Sequence, residues 1–99
     1  MTTHTEKAAA DMLGTIDSDI ADDFVDDADA PNPIDWITVE RNYPMLSSGE
    51  QAIVQLARHL GGYAPSENLP LVTLLGRVDS HHQHTFLGLL AVVLAGMAR

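Results

Sequence analysis

The chain has 99 residues, enough for one small domain. Fourteen acids against five Lys and Arg set the formal charge at −9, and the absence of cysteine excludes disulfides and thiolate chemistry. Residues 1–40 hold eleven acids and a single base, Lys7, for a net −10, whereas residues 41–99 carry +1. That split predicts an acidic arm joined to a nearly neutral, apolar body. It argues against direct nucleic acid binding, which needs clustered Lys and Arg.

In the first 33 residues, Leu13, Ile16, Ile20 and Phe24 are spaced three, four and four, one face of a helix running from Thr5 to Val25. Asp17, Asp19, Asp22, Asp23 and Asp26 occupy the opposite face. Gly14 and the many aspartates weaken such a helix, and acids late in it oppose its dipole. It is therefore expected to be marginal alone and stabilised by docking. Asp26 to Pro33 reads as a linker, because two prolines in three residues stop regular structure. The expected division is an acidic amphipathic arm with a Pro-containing linker over 1–33 and a helical domain over 34–99.

Ile34 to Glu40 has the β-branched and aromatic content of a strand. Asp35 ahead of Trp36, Ile37 and Val39 equally suits a short capped helix, the preferred reading because no partner strand follows. Trp36 is expected at the edge of the core. Leu46 to Leu60 is the clearest element. Ser47-Ser48-Gly49-Glu50 is a capping box, and Ile53, Leu56, Ala57 and Leu60 then lie on one face. Arg58 and His59 fall in the last turn, and Gly61-Gly62 ends it. Ser66 to Gly76 reads as a shorter helix capped by Asn68 with Pro70 in its first turn, a strand being the minor alternative. Ser80 is expected to open the last helix, with a second capping box in Ser80-His81-His82-Gln83 and a body reaching about Met97. The longest apolar run, Phe86 to Ala98, is thirteen residues, short of the roughly 20 that a membrane span needs. The predicted class is all-α, a small helical domain of three to four helices, with Ile53, Leu56, Leu60, Leu71, Leu74, Leu75, Phe86, Leu90, Val93 and Leu94 as its core.

Leu46-Ser47-Ser48-Gly49-Glu50-Gln51 resembles the signature motif of ABC-type ATPases. In that family the motif lies at a helix N-terminus and meets the γ-phosphate of ATP held by the opposite subunit. The resemblance covers six residues. The chain lacks G-x-x-x-x-G-K-[ST], lacks an apolar strand ending in Asp-Glu, and is too short for that fold. A helix cap accounts for Ser47, Gly49 and Glu50 without a nucleotide. His81 and His84 share a helical face at a spacing zinc accepts, with Asp79 and His59 as further donors, but no zinc signature is present and no metal is expected. These histidines gain charge near pH 6, so docking of the acidic arm is expected to tighten on acidification. No nucleophile elbow, H-E-x-x-H or EF-hand spacing occurs. Neither catalysis nor a cofactor is expected.

The last helix carries more apolar surface than a body of about 60 residues can hide. Either the arm folds back over it or another chain covers it. The expected function is an acidic protein–protein interaction module. Leu13, Ile16, Ile20 and Phe24, with Asp22, Asp23, Asp26 and Asp27, are expected to enter a basic-rimmed apolar groove on another protein. Phe86, Leu87, Leu90, Val93, Leu94 and Met97 are expected to form a self-association face, making the chain a homo-oligomer. The alternative is an acidic mimic of nucleic acid that inhibits a DNA- or RNA-binding protein. No basic segment followed by an apolar one opens the chain, so a cytoplasmic location is expected. The bias toward Ala, Asp, Leu and Arg with a single Lys fits a high-GC genome, such as an actinobacterial or phage one.

Overall fold

Residues 4–26, 33–62 and 69–97 are described by the computed structural model, and apart from one isolated β-bridge their regular elements are helical. The α-helices are α1 (His4–Leu13), α2 (Trp36–Asn42), α3 (Ser48–Gly61), α4 (Leu71–Gly76) and α5 (Ser80–Met97). Two 3-10 helices, Asp19–Asp23 and Tyr43–Met45, lie between them.

α1 holds a place that the charge split disguised. Ala8, Ala9, Ala10, Met12 and Leu13 are all buried, and the helix packs mainly on α3 and to a lesser extent on α5. Three consecutive small side chains let the α1 backbone approach α3 closely, and the burial of Met12 and Leu13 adds the hydrophobic gain. Of the two expected covers for α5, folding back of the N-terminal segment is the one observed. Buried residues of one core cluster therefore lie on both sides of the boundary expected at residue 33.

The single helix expected from Thr5 to Val25 is interrupted. Gly14 N–H donates to Ala10 O at 2.9 Å, and the Thr15 N–H and hydroxyl both donate to Met12 O, at 3.1 and 2.7 Å. Satisfying those last carbonyls locally turns the chain out of α1. Ser18 then caps the first 3-10 helix, its hydroxyl accepting Ile20 N–H at 3.3 Å. Leu13, Ile16 and Phe24 still reach the core, but from a helix end, a turn and the end of a 3-10 segment. Past Phe24 the chain pairs Val25 with Ile34 in an antiparallel bridge. Asp26 N–H donates to Pro33 O and Asp35 N–H to Phe24 O, each at 2.9 Å. Residues 27–32 of the expected linker lie outside the described residues.

Asp35 caps α2, accepting Thr38 N–H at 3.1 Å and the Thr38 hydroxyl at 2.7 Å. Ile34 to Glu40 thus divides into a bridge residue, a cap and a short helix. Trp36 is half-buried at the edge of the core, as expected. The Arg58 guanidinium lies over its ring, 4.7 Å from the centroid, and pairs with Glu40, tying α2 to α3. Partial burial lowers the Arg58 pKa from its ordinary value.

The expected capping box opens α3: Glu50 N–H donates to the Ser47 hydroxyl at 3.2 Å, and Ser47 N–H donates to the Glu50 carboxylate at 2.9 Å. Every residue from Ala52 to Ala57 is buried, so α3 is enclosed on more sides than its one apolar face implied. Gln55 is buried with it and donates to the Tyr43 hydroxyl at 3.0 Å. The helix ends at Gly62, whose φ of 76° is left-handed and whose N–H reaches the carbonyls of Arg58 and His59.

α4 begins at Leu71 behind Pro70, later than expected; Ser66 and the expected cap Asn68 lie outside the described residues. Leu71 and Leu94, both expected in the core, are exposed, whereas Ile53, Leu56, Leu60, Leu74, Phe86 and Val93 are buried and Leu75 and Leu90 half-buried. α5 is capped one residue earlier than expected. Asp79, not Ser80, accepts His82 N–H at 2.9 Å, and the Gln83 side chain donates to Leu75 O at 2.8 Å instead of closing a box.

Candidate functional site

α5 packs one face inward and leaves the other open. Phe86 and Val93 are buried, with Leu89 and Leu90 partly so, at the spacing of one helical face. Leu87, Ala91 and Leu94 point the other way at i, i+4 and i+7, joined by Gly88, Val92 and Ala95, all exposed. Leu87, Val92 and Leu94 are 51%, 60% and 55% exposed. No Asp, Glu, Lys or Arg occurs between Ser80 and Met97, and the three histidines of that span all precede Phe86. The residues of the expected self-association face divide between the two sides of α5. Phe86 and Val93 belong to the protein's own core, Leu90 straddles the boundary, and Leu87 and Leu94 remain outward, with Val92 added. The Met97 side chain lies outside the described residues. Periodicity alone could have found Val92, because Phe86, Leu87, Leu89, Leu90, Val92, Val93, Leu94 and Met97 cannot share a single helical face.

The N-terminal candidates divide in the same way. Leu13, Ile16 and Phe24 are consumed by the core and offer nothing to a partner in this conformation, while Ile20 is half-buried. Leu13 is buried at the end of α1, which packs on α3 and α5, while the 3-10 helix that leads to Phe24 meets α2. Asp22, Asp23 and Asp26 are exposed, as are Asp17 and Asp19; Asp27 lies outside the described residues. What this segment presents to solvent is carboxylate without apolar anchors.

An open groove of about 240 Å³ lies where the start of α3, with Ser47, Gly49, Glu50 and Ile53, meets the α4–α5 turn, Arg77 to Asp79, and His82. A Cβ at residue 49 would lie 3.3 Å from Arg77 O, so glycine allows the close approach that shapes it. The six-residue resemblance to the ABC signature falls at this point. The Ser47 hydroxyl and N–H and the Glu50 carboxylate and N–H are paired with one another in the capping box, and the Gln51 amide donates to Tyr43 O at 2.9 Å. The histidines separate. His81 and His84 are exposed, whereas His82 turns inward with only 20% of its side chain accessible. Among the described residues no group of three or more His, Asp or Glu is placed to hold a metal ion, and no helix is long and apolar enough to cross a membrane.

Compared with family models, curated proteins and solved structures, the chain matches none.

Proposed function

We propose that this protein is a small helical protein–protein interaction module that associates with itself through the outward face of α5. The observation that carries this reading is the uncharged, contiguous apolar strip of Leu87, Ala91, Val92 and Leu94 on a helix whose other face is already packed. Contiguous apolar surface of that kind marks an interaction site more often than scattered exposed side chains do. The exposed aspartates of residues 17–26 lie on other elements and suit a basic surface on a second protein.

The test is light scattering after size exclusion on the full chain and on a Leu87→Glu, Leu94→Glu variant, with circular dichroism as the check on folding. The unsubstituted chain is expected above its monomer mass of 10.7 kDa, and the variant at it. A full chain that stays monomeric at every concentration overturns the reading.

A second reading, the acidic mimic of nucleic acid, gains from one feature. Asp19, Asp22 and Asp23 sit on a capped 3-10 helix held by buried Phe24, so their backbone is fixed by the fold. Mimicry predicts affinity for a basic cleft that falls steeply with salt, whereas association of two like-charged copies through an apolar strip does not weaken with salt.

A further inference from the structure

His82 occupies an unusual position between two acceptors. Its Nδ1 lies 2.7 Å from the Asp79 carboxylate, and its Nε2 lies 3.4 Å from Thr15 O, a backbone carbonyl 67 residues away in the turn that follows α1. A carbonyl oxygen only accepts. The Asp79 carboxyl is held below its ordinary range by the His82 backbone N–H and then by the ring, so it too accepts. A neutral imidazole has one N–H and can satisfy one of the two; the imidazolium satisfies both.

We propose that His82 is a protonation-dependent clasp that joins the start of α5 to the turn after α1. Charged, it donates to Asp79 and Thr15 together. Neutral, it keeps its proton toward Asp79 and presents the Nε2 lone pair to the Thr15 carbonyl, and the two oppose each other. The clasp therefore closes when the ring gains its second proton and opens when it loses it. The other charged groups around it act in both directions. Asp79 favours the imidazolium, as does Glu50 across the groove. Arg77 on the same groove and His81, whose ring centroid is 5.6 Å away, oppose it when charged, as does the α5 dipole. Asp11 and Asp17, exposed on either side of Thr15 in the chain, add negative charge.

The clasp sits where the N-terminal segment leaves α1, so its closure steadies the Thr15–Ser18 turn. The test is NMR on the full chain. The Thr15 carbonyl carbon is expected to shift in step with the His82 ring nitrogens, both protonated at the acidic end. Amide protection at Ile16, corrected for intrinsic exchange, is expected to rise roughly two- to fivefold from alkaline to mildly acidic pH, the scale of a partly exposed ion pair. His82→Gln is expected to abolish that rise, and His81→Gln, at the exposed neighbour, to keep it. The same rise in His82→Gln overturns the proposal. So does a Thr15 carbonyl that ignores the His82 titration, a result that stands even where the variant fails to fold.

Discussion

Phe24→Ala tests whether the acidic N-terminal segment is part of the core. The side chain is fully buried, and in the chain it stands between the first 3-10 helix and the Val25–Ile34 bridge. Truncating a fully buried phenylalanine costs about 3–5 kcal/mol, the transfer term plus the cavity left behind. A domain of this size has roughly 5–15 kcal/mol of stability in all. With a urea m-value of about 2 kcal/mol per molar, the midpoint falls by roughly 2 M. Helical circular dichroism at 222 nm and Trp36 fluorescence should report the same displaced transition, because α1, α2 and α3 share one core. Asp22→Ala, at an exposed site beside it, is the control and should stay within about 0.5 kcal/mol of the unsubstituted protein. A Phe24→Ala midpoint displaced by less than about 0.5 M, or a Trp36 signal that ignores the change, would refute the reasoning and restore the segment as an appended arm.

Gly62→Ala isolates a backbone cost. Nothing lies within 4 Å of a Cβ at that position, yet its φ is +76°, so the loss of about 1 kcal/mol is conformational and should appear as a lower urea midpoint with an unchanged m-value. Asp35 supplies a pH dependence. The Thr38 hydroxyl first, then its N–H, hold the Asp35 carboxyl below the ordinary value of 3.8. With the folded pKa below the unfolded one, the contribution of this cap is fully present above that value and fades as pH falls through the lower folded value. Urea midpoints measured from neutral to strongly acid pH should therefore fall less in Asp35→Asn than in the unsubstituted chain.

Legibility in the sequence followed the locality of the forces. The α3 cap is written within four residues, Ser47 to Glu50, and its end in Gly62, because capping and left-handed backbone are local chemistry. The same locality made Asp35 readable as a cap. The cap of α5 slipped by one residue because Asp79 and Ser80 are both good candidates, and tertiary contact decided: Gln83 was drawn to Leu75 O and left no box to close. The helix expected through Ile20 and Phe24 failed for a subtler reason. Spacings of three and four are necessary for a helical face, but Leu13, Ile16 and Phe24 satisfy the core from three different backbone conformations. Burial constrains where side chains end, and Gly14, Thr15 and Ser18 supplied local hydrogen bonds that ended one element and capped the next. For the candidate surface, composition marked α5 as over-apolar, but only packing could decide which of its residues α1 and α3 had already taken.

The charge map misled because it was read as a map of order. Net charge describes what a segment presents to solvent and says little about what it buries. Between residues 4 and 26 the two coexist by alternation: Asp11 is exposed beside buried Met12, Asp17 beside buried Ile16, and Asp23 beside buried Phe24. A solvated tail has no need of apolar side chains that fill a core, and three buried alanines in a row are not tail composition. The acids then act as a shell over a packed layer. They repel one another across a small surface, which costs stability at low ionic strength and is relieved by salt. The α5 strip carries no Asp, Glu, Lys or Arg, so salt acts on its proposed association only by screening the net charge of −9 that each copy carries. Salt therefore bears on two properties of different parts of the chain: the stability of the N-terminal layer, which is expected to rise with ionic strength, and the proposed association through Leu87 and Leu94, which is expected not to weaken with it.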